Sequence, residues 1–140
     1  MNLSSSLTAV RDLLRSQTGA EVFLGVPDEA APGIYVWPWR LDEKQAFKGM
    51  FPTRNLDPAQ VPPPFGMVAH FMVMARPALA VGAIAQLEAA RAALLDQSVL
   101  TVDGETARVV FETLDSITLA AVFSAAAIPL SICLCATVES

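Results

Sequence analysis

Residues 65–75, with the sequence FGMVAHFMVMA, constrain the fold of this chain more than any other segment. The run is apolar at nearly every position and shows no alternation of polar and apolar residues. A strand with this pattern is buried on both faces, because successive side chains point to opposite sides of a sheet. We therefore expect residues 65–75 to form the central strand of a sheet, with a packed surface on each side.

The segment before that strand is irregular. Residues 42–64 show no sustained hydrophobic period and end in a Pro62-Pro63-Pro64 run, which predicts a long proline-rich loop or arm. Structureless connections of this length are uncommon in compact domains and are often functional. A long arm followed by a strand that is apolar on both faces indicates a part of a larger assembly. We expect residues 52–64 to reach neighbouring molecules.

Composition supports an oligomer. The 140 residues fit one domain, residues 1–140, without metal or disulfide cross-links. Only 16% of the residues are charged and 54% are hydrophobic, against a usual charged share of about a quarter. Burial of part of the surface between subunits would account for this. The net charge is −5 and Lys and Arg are not clustered, so nucleic acid is not an expected partner.

Residues 117–138 contain no charged residue over a length that could cross a bilayer. Pro129 lies in the middle, and the pattern changes there from helical spacing to alternation. This favours two packed elements over a membrane span. Residues 1–17 read as an amphipathic helix and lack a secretory signal, so we expect a cytoplasmic, bacterial protein.

Periodicity and turn signals predict an α+β fold: a mixed or antiparallel sheet with about three helices packed on it. Helices are expected at residues 5–17, 81–94 and 116–126, and strands at 21–26, 33–41, 65–75, 99–102, 106–113 and 128–138. Asp103-Gly104 marks a tight hairpin between two of these strands. Pro77 is expected to end the central strand.

Two cysteines form a C-x-C pair, Cys133 and Cys135, on one face of the last strand. Together with His70 they could bind a soft metal ion, but no further soft ligand is present. We favour reduced thiols packed in the fold. No metal or cofactor is predicted.

His70 is the only histidine and lies in the apolar strand. A catalytic base would need a nucleophile and an orienting acid, and the sequence has no G-x-S-x-G motif, glycine-rich phosphate loop or paired carboxylates at fixed spacing. A structural histidine with satisfied hydrogen bonds is therefore favoured, and an enzyme is not expected.

The element order resembles the tail terminator or cap proteins of contractile injection systems and phage tails, in the manner of their N-terminal domain. The resemblance is carried by the helix at residues 3–14, Ile34-Tyr35-Val36-Trp37, Thr53-Arg54-Asn55, the strand at 65–74, the helix and strand at 83–100, and residues 117–138. The sequence departs from the family pattern at Phe123, where a tryptophan is expected, and it ends at Ser140 with no C-terminal extension.

This resemblance implies a mechanical role. Such proteins form a ring, commonly of six copies, that binds the last layer of the inner tube, stops its polymerisation and locks the sheath end to it. The implied partners are other copies of the chain, the inner tube protein and the sheath protein. Rings are heterologous assemblies, in which one patch meets a different patch on the next copy, and a long arm suits that arrangement.

Six residues are candidate interface residues: Trp39, Lys44, Lys48, Phe51, Arg54 and Asn55. The resemblance favours Arg54 in bidentate contact with a neighbour's carboxylate and Asn55 bonded to loop backbone, although an ordinary solvated turn is the alternative. Trp39 and Phe51 could be interface anchors or core residues, whereas Trp37 is expected in the core. The two lysines are either solvated or at the rim of an interface.

Two other classes of function stay open. A soluble oligomeric α+β ligand-binding or regulatory domain would need a concave pocket, for example beneath residues 65–75. A hydrolase or transferase with a diverged motif is the third reading, and it is the least favoured because the candidate residues do not cluster in the sequence.

Overall fold

The apolar strand lies inside a six-stranded mixed sheet in the computed structural model, which describes residues 2–44, 66–102 and 104–139. The elements, in chain order, are α1 (Leu3–Thr18), β1 (Val22–Leu24), β2 (Gly33–Lys44), β3 (Gly66–Arg76), α2 (Val81–Asp96), β4 (Val99–Val102), β5 (Glu105–Phe111), α3 (Ser116–Ala125) and β6 (Leu134–Glu139). The strand order is β1-β2-β3-β6-β5-β4. The predicted α+β class is confirmed.

All neighbouring strands pair antiparallel except β1 and β2, which are parallel. β2 extends to Lys44, where it pairs with Gly66, so residues 42–44 are strand and not loop as predicted. The pairing with β3 continues along the whole length of β2 and holds these residues extended. The rest of the predicted arm, residues 45–64, lies outside the described residues.

Helix α1 begins two residues earlier than predicted because Asn2 is its N-cap. The Asn2 side-chain oxygen accepts a hydrogen bond of 2.8 Å from the Ser5 amide. Gly19 ends the helix in the left-handed conformation, with φ of 68°, and its amide donates to the Arg15 carbonyl at 3.0 Å. One face of the helix, with Val10 and Leu14 fully buried, packs on the sheet.

Strand β3 is covered on both faces by the chain itself. Phe71 and Val73 point to the face that carries α1 and α2, where they join the larger core. Met72 and Met74 point to the other face and pack against Phe123 of α3. All four β3 side chains are fully buried. The apolar pattern of β3 is therefore satisfied within one copy, and it does not by itself require a second protein, contrary to the sequence-based interpretation.

Residues 117–138 form two elements, as predicted from Pro129. Asp115 caps α3 by accepting a 2.7 Å hydrogen bond from the Thr118 amide, and this bond lowers the pKa of the Asp115 carboxyl. The predicted start of the last strand at residue 128 is wrong, because β6 begins at Leu134. Leu130 and Ile132 follow the alternation of apolar and polar residues that is typical of a strand. They are nevertheless 65% and 62% exposed, because no described strand pairs with this segment. No helix in the described ranges is long and apolar enough to cross a membrane.

Replacing Phe123 should test how much the α3 face contributes to stability. Phe123→Ala is expected to lower the free energy of unfolding by about 3–5 kcal/mol, because the ring is 1% exposed and its loss leaves a cavity against Met72 and Met74. Ile117→Ala in the same helix is the matched control, since Ile117 is 81% exposed and should change stability by less than about 0.5 kcal/mol. Urea unfolding measures both. Equal losses in the two variants would show that α3 is not an integral part of the core.

Candidate assembly interface

Strands β2 and β3 form a long two-stranded ribbon, and the predicted arm starts at its end. Lys44 and Gly66 are paired, so residues 45–65 connect two adjacent positions of the sheet. A β-bulge interrupts the ribbon: Pro38 pairs with Phe71 and Arg40 with His70, which leaves Trp39 as the extra residue. Pro38, directly before the extra residue, has no N–H, and prolines within sheets occur mainly at edges and bulges.

The structure describes two of the six candidate interface residues. Trp39 lies at the bulge, half-buried, with its ring centre 5.6 Å from that of His70. Its indole N–H is buried and has no hydrogen-bond partner among the described residues. Lys44 is the last residue of β2. The other four, Lys48, Phe51, Arg54 and Asn55, lie outside the described residues.

Trp37 lies in the core, as predicted. It is 9% exposed and makes an edge contact with Phe123, with ring centres 6.3 Å apart. Trp39 is half-buried and packs against the same cluster, at its edge beside the bulge.

His70 is held between two carboxylates. Its Nδ1 lies 2.8 Å from a carboxylate oxygen of Glu112, and its Nε2 lies 2.8 Å from Asp42 Oδ2. A neutral imidazole has only one N–H, and an ionised carboxylate can only accept. The short contacts on both sides therefore require an additional proton, either on the second ring nitrogen or on one of the carboxyl groups. Both nitrogens are satisfied, as the sequence predicts for a structural histidine.

Asp42 also binds the side chain of Arg40, which lies two residues earlier on β2. Arg40 Nε donates to Asp42 Oδ1 at 3.0 Å. This bond is the main reason that the pKa of Asp42 lies below its ordinary value, and the contact with His70 adds to it. Asp42, His70 and Glu112 come from β2, β3 and the residue after β5, so the cluster joins three parts of the sheet close to the end of the ribbon.

The two cysteines are free and half-buried, with their sulfur atoms 3.9 Å apart. The thiol contact lowers the pKa of Cys133 and raises that of Cys135, because one sulfur can donate to the thiolate of the other. Burial and the charge of Glu112 raise the pKa of Cys135 further. Among the residues that the structure describes, no group of three or more His, Cys, Asp or Glu side chains is arranged to bind a metal ion.

The middle of β3, one possible place for the pocket of a ligand-binding domain, has no room for a ligand. Residues 69 and 71–75 are at most 2% exposed and are packed on both faces. An open groove of about 690 Å³ lies elsewhere, between α1 and β4. Thr8, Asp12 and Leu13 line it from the helix, and Leu100 and Thr101 line it from the strand.

Comparison of the fold with solved structures finds caps of contractile injection systems. The anti-feeding prophage cap, a tube-terminating cap, superposes with a TM-score of 0.71 at 14% identity over 99% of this chain. The sheath/tube terminator of an extracellular contractile injection system, in its extended state, gives a TM-score of 0.72 at 12% identity over 99% of this chain. The chain spans 54% and 55% of the length of those two proteins.

No protein-family model and no curated protein matches the sequence. At these identities the likeness establishes the fold alone. The resemblance to terminator caps that the sequence predicts is thus confirmed at the level of the fold, and it extends over nearly the whole chain.

Acid should weaken the Asp42 contacts. Because the pKa of Asp42 is lowered in the folded state, its stabilising effect is fully present above the ordinary pKa of 3.8 and is lost as pH falls through the lowered folded value. Asp42→Asn should therefore reduce the loss of stability as the pH falls below the ordinary pKa of 3.8, as measured by urea unfolding at several pH values. Asp12→Asn, which removes an exposed carboxylate on α1, is the control. Identical pH profiles for wild type and Asp42→Asn would contradict this assignment.

Proposed function

We propose that this chain is a structural assembly protein that caps the end of the inner tube and sheath of a contractile injection system or phage-tail-like particle. The observation that carries the proposal is the terminator-cap fold, which matches two caps over 99% of the chain. The chain spans only about half the length of each of those proteins. The assignment of their capping activity to this chain is therefore our proposal. The proposed partners are other copies of the chain in a ring of six, the tube protein and the sheath protein.

The role needs no chemistry from the protein. Its clusters of titratable groups satisfy one another: His70 lies between two carboxylates, and the two thiols contact each other. We propose that the protein is not an enzyme, binds no cofactor and no nucleic acid, and is made in the bacterial cytoplasm before it joins the particle. A structural assembly protein requires a stable scaffold and specific contact surfaces, and it does not require a catalytic site.

The proposed contact surface is the arm that the β2–β3 ribbon presents. Asp42, His70 and Glu112 hold the ribbon to the rest of the sheet through contacts of 2.8 Å on each side of the imidazole. These contacts therefore hold in place the end of β2, from which the arm continues. Within the arm, Arg54 pairs with a carboxylate of a neighbouring subunit and Asn55 bonds to loop backbone. Trp39 and Phe51 act as anchors, with Lys44 and Lys48 at the rim.

Electron microscopy tests the proposal. Purified protein mixed with tubes and extended sheaths should appear as a ring at the end of the particle. The double variant Arg54→Ala, Asn55→Ala should keep the wild-type melting curve, yet should bind tube ends at least about tenfold more weakly because a charge-assisted contact is lost. Arg91→Ala is the control, since it removes the same charge from the exposed side of α2. Absence of binding by the wild-type protein would reject the function, and unchanged binding by the double variant would reject the role of the arm.

A further inference from the structure

Strand β4 is an edge that no other described strand covers. In the described part of the chain it pairs only with β5, and it is the last strand on its side of the sheet. Its sequence is Val99-Leu100-Thr101-Val102, with no charge and no proline. Edge strands in soluble proteins are usually blunted by charge, proline or a bulge, because their free backbone groups pair readily with other chains. An edge of this composition indicates a surface that is covered by another strand.

The backbone groups of β4 that point outward can be assigned. The Val109 amide donates to the Ser98 carbonyl at 2.7 Å, so Ser98 faces β5. Outward and inward groups alternate along an antiparallel strand. Val99 and Thr101 therefore direct their N–H and C=O groups away from β5, and Leu100 directs its groups toward it.

A groove runs beside this edge. It has a volume of about 690 Å³ and lies between α1 and β4. Its apolar lining includes Ala9, Leu13 and Leu100, and Asp12 is its only charged lining residue among those described. A strand that pairs with β4 would place every second side chain in this groove, between the edge and the helix.

The opposite edge of the sheet is open over part of β2. Strand β1 pairs only with residues 34–36, which leaves the following residues of β2 without a described partner on that side. Ile34 donates to the Glu21 carbonyl at 2.8 Å, and Gly25 donates to the Val36 carbonyl at 3.0 Å, so these β2 residues face outward. Pro38, at the next outward position, has no N–H.

The bulge shifts this alternation by one residue, so Leu41 and Glu43 face outward beyond it. Leu41 pairs with Ala69, whose side chain packs in the core on the face of α1 and α2. Its own side chain therefore points to that face, and it is 59% exposed. Leu41 and Glu43 are thus two residues apart and direct their backbone groups outward, as two residues of β4 do. The apolar side chain of Leu41 is also largely exposed.

We propose that the open edge of β2 in one copy pairs with the β4 edge of the next copy, so that the sheets of neighbouring subunits are continuous. Four antiparallel steps separate β2 from β4, so the two strands run in the same direction and would pair as parallel strands. This inference deepens the proposed ring and rests on it.

Rotation about a ring axis keeps the same face of the sheet on the same side. Leu41 of one copy then enters the groove between α1 and β4 of its neighbour, against residues such as Leu13 and Leu100. The contact joins different patches on the two copies, which is the requirement for a closed ring. Pro38 and the bulge confine pairing to the segment after Trp39 and so specify one register.

Proline at the outward positions tests the inference. Thr101→Pro removes an outward N–H without breaking a hydrogen bond to β5, and Leu41→Pro does the same on the other edge. Each should weaken self-association at least about tenfold, because backbone hydrogen bonds across the edge are lost. Thr101→Val keeps the N–H and should associate like the wild type. Leu41→Asp keeps every backbone group and should also dissociate the ring, because it places a carboxylate beside Asp12.

Mixing the two proline variants gives a sharper test. Each retains one intact edge, so the mixture should form a one-to-one dimer that cannot close into a ring, as measured by native mass spectrometry and analytical ultracentrifugation. Circular dichroism melting checks that each variant is folded. If a proline variant does not fold, Leu41→Asp is used instead.

If Thr101→Pro, Leu41→Pro and Leu41→Asp all assemble like the wild type, the edge contact is overturned and the capping function stands. A monomeric wild-type protein that still binds tube ends would lead to the same conclusion. A ring that these variants break but that does not bind tube ends would support the edge contact and overturn the function. A monomeric wild-type protein that does not bind tube ends would overturn both.

Discussion

Burial of β3 on both faces is the constraint on which the rest of this structure depends. The strand lies between β2 and β6, so its backbone is paired on both sides from Val68 to Val73. Its side chains require two separate packed layers, because they alternate between the faces. Helices α1 and α2 supply the larger layer and α3 the smaller one. A chain of this size can therefore cover the apolar part of β3, residues 71–75, without help from a partner.

The smaller layer covers only part of its face. Phe123 of α3 covers Met72 and Met74, whereas His70, two residues before Met72, lies between Asp42 and Glu112. The boundary between apolar packing and paired charges thus falls within one strand. Buried or half-buried charges are tolerable when each has a partner, and an imidazole between two carboxylates meets that requirement. The same contacts tie the ribbon to the sheet near the point where the arm begins.

The two sheet edges differ in how they are protected. Strand β2 carries Pro38 and a bulge, both of which discourage pairing, and its outward groups become regular again only beyond Trp39. Strand β4 has no such protection and lies beside a groove. A fold with no assembled catalytic centre among its described residues can still be specific, because its edges and surface grooves decide which strand fits.

The sequence alone determined the kinds of elements and much of their order. Spacing of apolar residues predicted the three helices, Asp103-Gly104 predicted the hairpin between β4 and β5, and Pro77 predicted the end of β3. These features are local, because backbone preferences and periodicity act over a few residues. Only the tertiary structure decided the end of β2 at Lys44 and the start of β6 at Leu134, since strand limits depend on which residues find a neighbouring strand.

The same distinction applies to the candidate site. A satisfied His70 was expected from the lack of catalytic partners in the sequence, but Asp42 and Glu112 are 28 and 42 residues away and share no motif with it. The roles of Lys48, Phe51, Arg54 and Asn55 stay predictions, because those residues lie outside the described ranges. The sequence determined that residues 65–75 would be largely buried on both faces, since nearly every position there is apolar. Which surfaces cover them was decided by tertiary packing, because that depends on contacts between residues far apart in the chain.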